Sequence, residues 1–213
     1  MNPIIKRPWI KICGLTQVEN AIECAKLEPD AIGLVFFEKS PRNISIEQAG
    51  HICSALPEAI QTIGVFVDES YDDIMAKVDS CDLKGVQLHG NEPPELIDRL
   101  LENKLIVIKA LFAAKPPFLK QNALYTNASF LLVEYGKGVL PGGNAESWNY
   151  EISLQLKTTT PIILAGGLTP NNVKHAITSA RPAGVDISSG VEKSPGIKDL
   201  GKVKAFIKAV KSY

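Results

Sequence analysis

Short runs of apolar, β-favouring residues recur along the chain. They are WIKIC from Trp9, AIGLVFF from Ala31, TIGVFV from Thr62, GVQLH from Gly85, LIVIKA from Leu105, FLLVE from Phe130, PIILAGG from Pro161 and GVDISSG from Gly184. Near-continuous apolar runs of this length mark strands covered on both faces. Helical signals fill the intervals. Thr16 before Glu19 and Ser45 before Gln48 have capping-box spacing, and Thr169 before Pro170 reads as an N-cap followed by a first-turn proline. At the end, Val203, Phe206, Ile207 and Val210 share one helical face. Eight strands alternating with eight helices predict parallel pairing through right-handed crossovers. An open doubly wound sheet fits the same alternation, but eight repeats in 213 residues favour closure into one (β/α)8 TIM barrel, a single catalytic domain over residues 1–213.

The charge balance narrows the partners. Lys plus Arg and Asp plus Glu both total 23, so no surplus of positive charge is available for a polynucleotide or an anionic bilayer. The first residues, MNPIIKRPWIKIC, lack the apolar core of a signal peptide, and no run approaches the roughly 20 apolar residues that span a bilayer. The expected setting is cytoplasmic, with no nucleic acid and no membrane as partner. Cys13, Cys24, Cys53 and Cys81 form no CxxC pair, which argues against a zinc ribbon or a dithiol redox motif. The three histidines, His51, His89 and His175, are too scattered for a histidine-rich metal site, so no metal is expected.

In a barrel the chemistry collects where strands end at the C-terminal face. Those ends carry Cys13 and Gly14, then Ser40-Pro41-Arg42, His89, Lys109, Glu134, Gly166-Gly167 and Ser188-Ser189-Gly190. The glycine turns after strands seven and eight, GGLTPNN and SSGVEKSPG, let backbone N–H groups approach an anion near helix N-termini. Gly166, Gly167, Ser189 and Gly190 therefore predict a cradle for a small phosphorylated substrate, although glycines also make tight turns for their own sake. Alternation along strand one turns Trp9, Lys11 and Cys13 to the interior and Ile10 and Ile12 to the helices. A buried lysine needs a counter-charge, and closure makes strand eight its neighbour, so Lys11 is expected to pair with Asp186. Positive charge nearby would stabilise a Cys13 thiolate, whereas Cys13 taken alone reads as an inert buried thiol. Arg42, on a turn stiffened by Pro41, suits a carboxylate, or is a solvated surface arginine.

The strand ends resemble, in order, the phosphoribosylanthranilate isomerase family. The resemblance rests on KICGLT from Lys11, AIGLVFF with Ser40-Pro41-Arg42, GVFVD from Gly64, VQLHG from Val86, LAGGLTPNNV from Leu164 and GVDISSGVEKSPGIKD from Gly184. It implies an Amadori rearrangement in tryptophan biosynthesis without metal or organic cofactor. In that family Cys13 would be the general base at the sugar C2, Arg42 would bind the anthranilate carboxylate, His89 would line the substrate site, and the two glycine loops would take the phosphate. The protein would act as a monomer or homodimer. An aspartate closing strand six is the family's acid. Here the run is FLLVEYGKGVLPGGNAESWNY; without a gap Val133 falls at the aspartate, and Glu134 follows. One residue of slip turns a side chain to the other face, so either a bulge or changed register brings Glu134 into the mouth as the acid, which is the expectation, or the acid role has moved or been lost. The competing structural reading pairs Glu134 with Lys109 on strand five. Asn144 stands where the family's loop has threonine. The alternatives in function are a catalytically silent binder of phosphoribosyl compounds, another phosphosugar enzyme such as an epimerase, or a relaxed isomerase that also accepts a histidine-pathway substrate.

Overall fold

The computed structural model describes residues 7–136 and 147–213. Eight parallel strands close on themselves in sequence order: β1 (Trp9–Cys13), β2 (Ala31–Phe36), β3 (Gln61–Phe66), β4 (Gly85–Leu88), β5 (Ile106–Phe112), β6 (Phe130–Glu134), β7 (Ile162–Leu164) and β8 (Gly184–Ile187). β8 pairs with β1 to complete the ring. All eight expected strands are present, and the closed barrel prevails over the open sheet.

Six of the eight connections carry α-helices: α1 (Val18–Ala25), α2 (Ile46–Ala55), α3 (Tyr71–Cys81), α4 (Pro94–Leu101), α5 (Val173–Ala180) and α6 (Leu200–Lys211). The expected count of eight helices is corrected at two places. After β5 and β6 the chain forms 3-10 turns, Leu119–Tyr125 and Tyr150–Gln155. In the first, Leu119, Asn122 and Tyr125 are the buried positions, a spacing of three that matches a 3-10 helix and not an α-helix. The second runs into Thr158, Thr159, Thr160 and Pro161, where β-branching and the approaching proline disfavour helix.

Caps vary similarly. Ser45 and Gln48 form the full reciprocal box on α2. Thr16 does not cap α1; its hydroxyl donates to the Gly196 carbonyl at 3.1 Å, so a tertiary acceptor has taken the local donor. Thr169 lies four residues before α5. Its hydroxyl accepts from Asn172 N while Asn172 Oδ1 accepts from Thr169 N, closing the turn that leads into the helix.

Two apolar layers follow from strand alternation. Outward-facing residues such as Ile10, Ile12, Leu111, Leu131 and Val133 pack under the helices, including Val203, Phe206, Ile207 and Val210 of α6. Inward-facing Ala31, Ile63, Ile108, Ala110, Phe112, Leu132, Ile163 and Ala165 fill the barrel. Trp9 and Phe130 stack at 5.5 Å on that inner cluster. No helix among the described residues is long and apolar enough to cross a membrane. Within the long loop expected after β6, Gly138, Pro141, Gly142, Gly143 and Asn144 lie outside the described residues.

The reading of Lys109 as a residue of the mouth is overturned. β5 runs on to Phe112, and Lys109 belongs to its outward series. There Lys109 Nζ meets Glu92 at 2.8 Å and the Gly90 carbonyl at 2.7 Å, and Glu92 also accepts from the backbone N–H groups of Asp68 and Gly90. Burial pulls the Lys109 ammonium down while Glu92 holds it up. Glu92 thus ties the turn after β4 to β3 and β5. Its removal strands a buried cation, so Glu92→Ala is expected to cost about 3–5 kcal/mol in urea denaturation. A loss below about 1 kcal/mol would show that water reaches the site.

Candidate active site

β1 turns Lys11 and Cys13 inward, as alternation requires. Lys11 and Asp186 are register partners across the β1–β8 seam, with Nζ 3.0 Å from Oδ1. One turn of alternation further out, Cys13 lines the mouth. Its sulfur occupies space that Gly33 on β2 leaves open: a Cβ at Gly33 would stand 2.6 Å from Sγ. Burial pushes the Cys13 thiol above its ordinary 9.0, while Lys11 and, less strongly, Lys198 pull it back. The expected help from positive charge is present, but desolvation outweighs it, so the resting group is the neutral thiol.

Arg42 stands on the turn after β2, where its own N–H donates to Ser40 Oγ at 3.1 Å. It is no surface arginine, being 7% exposed. Its Nε and one terminal nitrogen clasp Glu192 at 2.8 and 2.7 Å. A guanidinium has five N–H donors in a plane, so the opposite edge remains for a second carboxylate. Glu192 begins a two-stranded hairpin, β9 (Glu192–Ser194) with β10 (Ile197–Lys198), inserted between β8 and α6. Lys198 Nζ also reaches Glu192, at 2.8 Å, and this pair with Arg42 holds the Glu192 carboxyl below its ordinary value against burial.

The loops after β7 and β8 converge. Gly166 and Gly167 have φ of +83° and +65°, a region open to glycine, and Gly190 packs so tightly against the Leu168 carbonyl that a side chain has no room. Among the described residues, the N–H groups of Gly167, Leu168, Ser189 and Gly190 donate to no protein acceptor. All four residues line the same opening as Cys13 and Arg42. Trp148 Nε1 donates to the Ala165 carbonyl at 2.9 Å and Tyr150 hydroxyl to that of Gly166 at 3.0 Å, which braces the β7 loop from behind.

Glu134 also lines the opening, and it needs neither bulge nor altered register to do so. β5 and β6 pair without interruption from Ile108 with Phe130 to Phe112 with Glu134. Phe130, Leu132 and Glu134 form the inward series, while Val133 lies in the outer layer. The expected slip is thus corrected by plain alternation, and the pairing with Lys109 is excluded because that lysine faces the helices. Across the mouth His89 Nε2 is 3.6 Å from Glu134 Oε1. The opening gathers Cys13, Arg42, His89, Glu134, Asp186 and both glycine loops; Lys11 lies beneath it.

A family model described as N-(5'phosphoribosyl)anthranilate (PRA) isomerase matches residues 10–209. A curated N-(5'-phosphoribosyl)anthranilate isomerase of Desulfatibacillum aliphaticivorans is 48% identical over 198 residues, 93% of this chain and 90% of the relative. The chain belongs to this isomerase family. The phosphoribosyl anthranilate isomerase of Thermotoga maritima has a TM-score of 0.88 at 36% identity, over 97% of this chain and 100% of its own. A family structure in complex with reduced 1-(o-carboxyphenylamino)-1-deoxyribulose 5-phosphate has a TM-score of 0.84 at 35% identity with the same coverage.

Gln87 lines the opening, and Glu192, Lys198, Trp148 and Tyr150 support residues that line it; the sequence reading missed all five. Gln87 stands two residues before His89, so alternation could have placed it inward. Glu192 and Lys198 are charges inside a quoted motif, but their pairing depends on the hairpin. Nothing local marks Trp148 or Tyr150. The electrostatic link from Lys11 to the sulfur is open to measurement. Alkylation of Cys13 by iodoacetamide, followed by mass spectrometry, is expected to reach half-maximum above pH 9.0. Lys11→Met is expected to move that point higher still, since it removes a cation and leaves Asp186 unpaired. An unchanged or lowered point would show that Lys11 does not act on the thiol.

Proposed function

We propose that this chain catalyses the Amadori rearrangement of N-(5-phosphoribosyl)anthranilate to 1-(2-carboxyphenylamino)-1-deoxyribulose 5-phosphate in tryptophan biosynthesis. The observation that carries the reading is one opening lined by a thiol, a carboxyl, an arginine edge and two loops of free backbone N–H groups. The phosphate is bound by the N–H groups of the Gly166-Gly167 and Ser189-Gly190 loops, while Lys198, beside Ser188, is engaged by Glu192. Arg42 takes the aryl carboxylate on the edge opposite Glu192.

Acid and base then divide the work. Glu134, as the carboxylic acid, gives a proton to the ring oxygen as the C1–O bond breaks, leaving an iminium between C1 and the aniline nitrogen. Cys13, once its thiol has given its own proton to solvent, takes the proton from C2 as the thiolate, and the C2–H electrons move into the iminium to give the enolamine. Its tautomerisation, with a proton added at C1 and one lost from the C2 hydroxyl, yields the ketone, and exchange with solvent takes the proton from Cys13 and returns one to Glu134. His89 lines the substrate site beside Glu134. The chain acts as a single domain, monomer or homodimer, in the cytoplasm.

Loss of substrate fluorescence gives the turnover test. Cys13→Ser and Glu134→Gln are each expected to lower kcat by about 100-fold or more with KM changed only a few-fold. Wild-type protein that binds the substrate without turning it over would instead establish a silent binder. Full activity in Glu134→Gln would remove that residue from the acid role. Arg42→Ala is expected to raise KM by about tenfold or more, since a charge-assisted hydrogen bond is lost; an unchanged KM would remove the carboxylate contact.

A further inference from the structure

Gln87 and His89 occupy successive inward positions at the end of β4, and both line the mouth. Gln87 is 1% exposed and its side-chain Nε2 lies 2.9 Å from His89 Nδ1. With the amide donating, Nδ1 accepts, so the proton of a neutral ring sits on Nε2. That places an N–H toward Glu134 Oε1, 3.6 Å away. Phe112 packs edge-to-face on the imidazole, centroids 5.3 Å apart, and limits its rotation.

This orientation leaves Gln87 Oε1 buried with no hydrogen-bond partner among the described residues. Buried carbonyls are rarely unsatisfied in folded proteins, and this one stands in the wall of the substrate opening. It requires a donor. An ionised phosphate or aryl carboxylate has only acceptors, whereas the hydroxyls of the sugar chain that joins those two ends can donate.

We propose that Gln87 is a specificity-determining residue: its Oε1 accepts a hydrogen bond from one sugar hydroxyl, and its amide NH2 holds His89 in the Nε2–H form that faces Glu134. The proposal rests on the isomerase reading and adds to it a contact at the middle of the substrate. It makes the site discriminate against a chain lacking that hydroxyl, because the analogue leaves a buried carbonyl unpaired.

Binding of the reduced product analogue, 1-(o-carboxyphenylamino)-1-deoxyribulose 5-phosphate with its ketone reduced, is compared with versions lacking one chain hydroxyl at a time. Wild type is expected to lose about tenfold in affinity for one deoxy version, the size of one neutral hydrogen bond. Gln87→Leu is expected to bind the parent analogue about tenfold more weakly and to bind that deoxy version no worse than the parent. Inorganic phosphate should inhibit both proteins equally, which shows the loops intact in the variant. Nitrogen-15 spectra of the wild-type histidines supply a second reading, with His89 protonated on Nε2 and not on Nδ1. Indifference of wild type to every deoxy version, unchanged discrimination in Gln87→Leu, or a proton on Nδ1 would overturn the proposal. Failure of wild type to bind the parent analogue would count against the isomerase reading, and the spectra would still decide the Gln87–His89 contact.

Discussion

A lysine ammonium can lie fully buried under the barrel mouth only because the last strand sets a carboxylate beside it. Lys11 and Asp186 are 175 positions apart and face one another across the β1–β8 seam. Closure of the ring and formation of the pair are therefore one event. An open sheet would leave Lys11 with an unpaired charge inside an apolar layer, at a cost of several kcal/mol. The same pair sets conditions one step outward. Asp186 raises the Cys13 thiol and Lys11 lowers it, so the residual field of a nearly neutral pair acts on a sulfur that burial has already made hard to ionise.

Paired charge is the rule around this opening. Arg42 and Lys198 share Glu192, and Lys109 is held by Glu92 behind the strands. With its cations so engaged, the mouth offers anions backbone dipoles and one edge of a guanidinium in preference to free lysines. A chain of zero formal charge can in this way bind a phosphate without the basic surface that would also attract nucleic acid. The cost is rigidity: Glu192 fixes Arg42 in one plane, and loss of Glu192 leaves two buried cations, Arg42 and Lys198, unmatched.

What could be read in the sequence follows from periodicity. Eight near-continuous apolar runs were enough to locate every strand, and a period of two along the first turned Lys11 and Cys13 inward and forecast the seam pair. Applied with equal strictness it would have put Glu134 on the inner face with Phe130 and Leu132, and Gln87 with His89. The motif comparison instead suggested a slip that the pairing of β5 and β6 does not contain. Lys109 was misplaced because its strand was ended three residues early; the extension to Phe112 reverses the face that matters. The Thr16 hydroxyl given to Gly196 and the bracing of the β7 loop by Trp148 and Tyr150 depend on partners outside the local pattern, which carries no information about them.

The order of groups around the ring gives the proposed chemistry its geometry. Going round from β6 to β2, the chain presents Glu134, then the two anion loops of β7 and β8, then Cys13, then Arg42. The proposed phosphate loops thus lie, in strand order, between the proposed acid and the proposed base. A sugar anchored there by its phosphate enters the opening with the carboxyl on one flank and the sulfur on the other, and its aryl carboxylate can reach Arg42 only by crossing the mouth past Cys13. Gly166 belongs to this arrangement too, because a Cβ there would come within 3.1 Å of Glu134 Cβ and crowd the acid. In the proposed chemistry the donor on β6 and the acceptor on β1 are thus separated in strand order by the loops that would fix the substrate, which lets each meet its own atom of the sugar.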